Sequence, residues 1–122
     1  MLQHKLLSSE TSRLFCVEAY KFTGNQVFIN NFYTWNDIMF LINEIELIDD
    51  PRYGKFSVFI QRNECTIYSE FVLFDKYNRK KYISDPNAIF DSKIESTVYN
   101  LYKFLKFYNE YKNISETVYV EC

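Results

Sequence analysis

One histidine, two glycines, two prolines and two alanines are all that this 122-residue chain contains of those types. Each scarcity excludes something. The single histidine, His4, stands in a polar lead-in, with no base, nucleophile or ligand partner at a recognisable spacing. Gly24 and Gly54 are too far apart to build a glycine-rich phosphate cradle or a dinucleotide fingerprint. The three cysteines, at 16, 65 and 122, form no CxxC pair and no zinc-ligand spacing. Their odd number fits reduced thiols and a cytoplasmic location. No apolar run approaches the ~20 residues that cross a bilayer. The start, Met1 to Ser9, lacks the extended apolar stretch of a signal peptide.

What is present is aromatic. The chain carries 11 Tyr, 12 Phe and 1 Trp, and 48% of its residues are hydrophobic. That is enough for one well-filled core, with rings left over for the surface, and a single domain over 1–122 is the expectation. Fourteen Lys and Arg against sixteen Asp and Glu give a net charge of −2, which argues against a general nucleic-acid binder. Catalysis needs a positioned base, a metal cluster or a backbone cradle. With none apparent, the residues point to a non-enzymatic binding protein that needs no metal and no cofactor.

The pattern along the chain predicts an α+β fold: a mainly antiparallel sheet with two packed helices, in the order β-β-α-β-β-β-α-β. Residues 1–12 read as a frayed lead-in. Arg13–Phe22 and Gln26–Asn30 read as two strands joined by a turn at Thr23-Gly24-Asn25, with Cys16 alternating inward. Thr34-Trp35-Asn36-Asp37 fits a capping box, opening a helix whose core face is Trp35, Ile38, Leu41, Ile42, Ile45 and Ile48. Asp49-Asp50-Pro51 is expected to end it. Phe56, Val58 and Ile60 alternate on a strand that turns at Arg62-Asn63-Glu64. Cys65–Phe74 is apolar on both faces and reads as a central strand. Asp75–Arg79 is a turn, and Lys80–Ser84 an edge strand. Ser92-Lys93-Ile94-Glu95 is a second capping box, and its helix carries the core stripe Ile94, Val98, Leu101, Leu105 and Tyr108. Asn113 is the expected stop, with a closing strand over Thr117–Val120.

The first of these helices holds the candidate site. Phe40 and Leu47 fall opposite its core face. Between Thr34 and Asp50 there is no Lys or Arg but five acids: Asp37, Glu44, Glu46, Asp49 and Asp50. An apolar pair inside an acidic surface suits a basic protein partner. The candidate contact residues are therefore Asp37, Phe40, Glu44, Leu47, Asp49 and Asp50. The competing reading is a covered helix flanked by solvated charge. A second patch, Lys76 to Tyr82, interleaves basic and aromatic side chains as single-strand nucleic-acid platforms do. It is short and isolated, and a solvated turn with edge protection is the preferred account of it.

Three stretches give the chain a likeness to a known group. Tyr33-Thr34-Trp35-Asn36-Asp37-Ile38 begins a helix with an aromatic near its start. Lys55 to Glu64 is a strand running into a polar turn, and Ser96 to Val120 is a helix followed by a terminal strand. From Tyr33 to Glu121 this layout resembles that of small immunity proteins from bacterial polymorphic-toxin and contact-dependent growth inhibition systems. The resemblance implies a cytoplasmic protein that binds one cognate toxin domain and blocks its active site or substrate access; the acidic run adds the expectation that this toxin surface is basic. It carries over no functional residue. The alternatives are a phage or mobile-element inhibitor of a host enzyme and a small nucleic-acid-binding domain.

Overall fold

The computed structural model describes residues 8–29, 33–71, 90 and 92–120, with 114–120 as backbone only. Among these residues it is an α+β fold built of three helices and a three-stranded antiparallel sheet: α1 Ser9–Thr23, a 3₁₀ turn Gln26–Phe28, α2 Trp35–Glu46, β1 Asp49–Asp50, β2 Gly54–Gln61, β3 Glu64–Ser69 and α3 Lys93–Val120. The α+β class and the antiparallel sheet agree with the sequence pattern. The ends of the chain do not.

Arg13–Phe22 is helical. Ser8 caps α1 by accepting a hydrogen bond from the Thr11 amide at 3.0 Å, and Glu10 pairs with Arg13 across one turn. Gly24 takes a left-handed φ of 67° and donates to the Tyr20 carbonyl at 2.7 Å, closing the helix. The expectation of a hairpin used the same property of Gly24, its tolerance of positive φ, but a helix C-terminus requires it equally. Phe15, Cys16 and Ala19 are buried along one face, with Phe22 partly covered. Gln26–Ile29, the described part of the predicted second strand, is likewise not a strand. The Asn25 side chain accepts from the Val27 amide and starts a single 3₁₀ turn that buries Phe28.

α2 starts where predicted. Asp37 N–H donates to Thr34 Oγ1, and Thr34 N–H donates to Asp37 Oδ2 at 2.8 Å. It ends earlier than the proline suggests, with Leu47 as C-cap. Asp49 and Asp50 pair with Lys55 and Gly54 as β1, wrapped around a turn at Pro51. Gly54 has φ 73°, and a Cβ there would collide with the Glu70 side chain, so a glycine is required.

The sheet order is β1-β2-β3, which puts β2 in the middle. β3 is not covered on both faces: it ends at Ser69, with Cys65 and Ile67 buried and Tyr68 exposed. Phe71, just beyond, is exposed as well. α3 opens on the predicted capping residues, Ser92 accepting from the Glu95 amide at 3.2 Å. It then runs straight through Asn113, and Thr117–Val120 is its last turn rather than a strand. No Gly or Pro follows Pro86. A nucleated helix adds residues cheaply, which outweighs the strand preference of Thr117, Val118 and Val120.

The core forms where the sheet meets the helices. Ile38, Leu41 and Ile45 of α2, Phe56 and Ile67 of the sheet, and Val98, Leu101, Phe104 and Leu105 of α3 are all fully buried. Phe56 meets Phe104 edge-on, with ring centroids 4.9 Å apart, and Phe104 stacks on Tyr108 at 5.7 Å. α1 packs chiefly on α3. The expected turn at Asp75–Arg79, the strand Lys80–Ser84, residues 72–74 of the strand expected over Cys65–Phe74, the Lys76–Tyr82 patch, His4 and Cys122 lie outside the described residues.

Candidate functional site

The outer face of α2 is open and apolar. Phe40 is 38% exposed and Leu47 75% exposed. Trp35, placed by periodicity on the core face, is instead exposed together with Met39, one turn further on. Trp35 sits at the first helical position, where the chain has only begun to turn against the sheet. Its 3.6-residue phase therefore predicts burial less well than that of Ile38 or Leu41. Met39 lies four residues after Trp35, and this i,i+4 relation was the available sign that the two share a side of the helix. Asn36 and Asn43, both exposed, lie between the Trp35–Met39 side and the Phe40–Leu47 side.

The acidic residues divide into different roles. Asp37 is committed to the capping box. Glu44 is partly exposed and Asp49 fully so. Glu46 is exposed, and its Oε2 accepts from the Val58 amide of β2 at 3.2 Å. Asp50 is not a contact residue. It is only 4% exposed, and its Oδ1 accepts from the Arg52 amide at 2.8 Å, the Tyr53 amide at 3.1 Å and the Tyr111 hydroxyl at 3.1 Å. The expectation of an accessible Asp49–Asp50 pair fails because adjacent residues of β1 point to opposite faces. The structure thus brings Phe40, Glu44, Leu47 and Asp49 onto the exposed side and exit of α2, and removes Asp50 from them.

Electrostatics at this end of α2 are unfavourable in isolation. A helix C-terminus carries about half a negative charge, normally answered by Lys or Arg in the last turn. Here the last turn has no basic residue. Glu44 and Glu46 stand there, with Asp49 just beyond.

Elsewhere, a groove of about 690 Å³ between α1 and α3 is lined by mixed charges. These include Lys21, paired with Glu18, and Asn109, which donates to the Glu18 carbonyl and carboxylate. The thiols of Cys16 and Cys65 are buried. Burial raises the pKa of Cys16 and pushes that of Cys65 up to about 12, so neither is a ready nucleophile. Among the described residues no group of three or more His, Cys, Asp or Glu side chains is placed to hold a metal ion, and no helix is long and apolar enough to cross a membrane. Comparisons with protein-family models, with curated proteins and with solved structures each return no match.

Proposed function

We propose that this chain is a non-enzymatic binding protein, an immunity protein that occupies the basic surface of a cognate toxin domain in the cytoplasm with the outer face and exit of α2. One observation carries the reading: Glu44, Glu46 and Asp49 are gathered at the negative end of a helix, beside exposed Phe40 and Leu47. Each acid placed there costs the free protein a few tenths of a kcal/mol, up to about 1 kcal/mol. A basic partner turns that cost into attraction and speeds encounter, while the apolar side chains, once covered, slow release. The likeness of Tyr33–Ile38 and Lys55–Glu64 to the corresponding parts of immunity proteins selects a toxin as that partner.

The test is a double reversal, Glu44→Lys with Asp49→Lys, made on the protein that co-purifies with its partner from the native host. The variant should stay within about 1 kcal/mol of the parent in a denaturant titration, because relief of like-charge crowding at the helix end is offset by the new lysine opposite Lys55 across β1–β2. It should also associate at least tenfold more slowly at low salt, with a flattened salt dependence. Phe40→Ala should leave the on-rate alone and raise the off-rate. A reversal that keeps the wild-type on-rate and salt slope refutes this surface as the contact.

A further inference from the structure

The edge of β2 beyond β1 offers a backbone-directed site next to the acidic exit of α2. Parity along β2 follows from its bonds to the far strand: the Lys55 carbonyl accepts from the Glu70 amide at 2.7 Å, and the Tyr53 carbonyl from the Phe71 amide at 3.1 Å. Odd-numbered residues of β2 therefore turn their N–H and C=O groups toward β3, and the even-numbered ones, Val58 and Ile60 among them, turn theirs to the opposite edge. On that edge β1 reaches only Gly54 and Lys55. Glu46 covers one further donor, the Val58 amide. Past it, the Val58 carbonyl and both backbone groups of Ile60 bond to no described residue. Open strand edges in native proteins are normally shortened, charged or covered. Among the described residues a single carboxylate stands guard here, on an exposed side chain that can swing away.

We infer that this edge takes an extended, basic segment of the partner as an added strand, continuing the sheet past the end of β1. The inference rests on the reading of α2 as the contact surface and specifies how that surface is used. The backbone groups of Val58 and Ile60 require a strand, since an incoming helix has its own N–H and C=O groups already bonded. Charge selects which strand. The partner's carbonyl takes over the Val58 N–H, and the displaced Glu46 carboxylate then pairs with a Lys or Arg of the incoming segment. Glu44 and Asp49 add to the same field. Phe59, 57% exposed on the outer face of β2, gives alternate residues of that strand an apolar neighbour.

The probe is a synthetic ten-residue peptide alternating Lys with Val and Thr. Its control has the same sequence with alternate backbone amides N-methylated, which keeps the charge and side chains but removes the ladder. Both are titrated into the full chain and read by amide chemical shifts and hydrogen exchange. The expected result is at least tenfold tighter binding of the unmethylated peptide, with exchange at Ile60 slowed at least tenfold. Ile60→Pro should abolish the difference between the peptides, because proline is tolerated where the edge N–H faces outward. Equal affinity of the two peptides, with loss of both upon Glu44→Lys and Asp49→Lys, overturns strand addition and leaves the acidic surface reading intact. No binding of either peptide also overturns strand addition. Failure of the surface reading itself is seen separately, in the salt series with the native partner.

Discussion

Asp50 and Asp49 are neighbours of identical chemistry, and the structure assigns them opposite consequences. Asp50→Ala strands two donors in poorly solvated surroundings: the amide of buried Tyr53 and the hydroxyl of Tyr111, which reaches Asp50 from 61 residues away. The Arg52 amide also loses its acceptor but belongs to an exposed residue and can find water. Leaving a buried donor unsatisfied costs about 1–3 kcal/mol; with the Tyr53 amide buried and the Tyr111 hydroxyl only partly so, which puts it at the low end, a loss of roughly 2–4 kcal/mol is expected. Every buried side-chain nitrogen and oxygen among the described residues is partnered in the native structure. Against a total stability of about 5–15 kcal/mol for a small domain, that is a large fraction. Asp50→Asn keeps an acceptor but loses the charge, and should cost about half as much, since neutral hydrogen bonds are roughly half as strong. Asp49→Ala should stay within ~0.5 kcal/mol, as exposed substitutions do. Urea titrations of the three variants, followed by far-ultraviolet circular dichroism, rank them. If Asp50→Ala proves as silent as Asp49→Ala, the buried carboxylate does not hold the β1–β2 turn to α3, and both residues return to the surface.

Leu105, fully buried on α3, should lose roughly 2–5 kcal/mol on replacement by Ala. Lys103→Ala should cost no more than about 0.5–1 kcal/mol in the same titration, because the residue is exposed and loses only the contact of its ammonium with the Tyr99 ring at 5.8 Å. Cys65 should resist thiol labelling in the native state at neutral pH and react fully in urea. Because burial raises its folded pKa above the free value of 9.0, to about 12, the stability it contributes is complete below pH 9 and is lost as pH climbs from there towards 12. Tyr108, pushed up to about 12 by burial first and then by the charge of Asp50, adds to the same alkaline loss above its free value of 10.0. Cys65→Ala should make the fall in midpoint denaturant concentration between pH 9 and 12 shallower.

What could be read from the sequence was short-range. The capping pairs Thr34–Asp37 and Ser92–Glu95 are local chemistry, written within four residues, and both form. The buried stripe Val98, Leu101, Leu105 and Tyr108 repeats often enough to fix its own phase. Arg13–Phe22 misled because a short apolar segment supports either period. The deciding signals were the flanks: Ser8 as a cap, Glu10–Arg13 and Glu18–Lys21 three residues apart, and Gly24 as a helix stop. Thr117–Val120 misled because β-branched residues were weighed without asking what would break the helix before them. The split between Asp49 and Asp50 was beyond local reading altogether, since it depends on where Tyr111 arrives after the whole sheet has formed.

The candidate surface was legible for a different reason, and only in part. Absence of positive charge between Thr34 and Asp50 is a property of composition, so the sign of the field survives any rearrangement of the elements. Which acids face solvent does not survive it, and two of the five turn out to serve the fold: Asp37 in the cap of α2, Asp50 in the turn after β1. Glu46 stands between these groups, exposed yet bonded to Val58. Glu44 and Asp49 have no comparable structural employment in the bonds that hold α2 and β1 together, and they crowd the negative end of a helix with no basic residue in its last turn. A lysine at position 44 would relieve that repulsion without disturbing a cap or a buried bond. Local conflict between charge and helix polarity, beside exposed Phe40 and Leu47, is therefore the physical ground for locating function at this end of α2, because stability alone would favour the opposite sign.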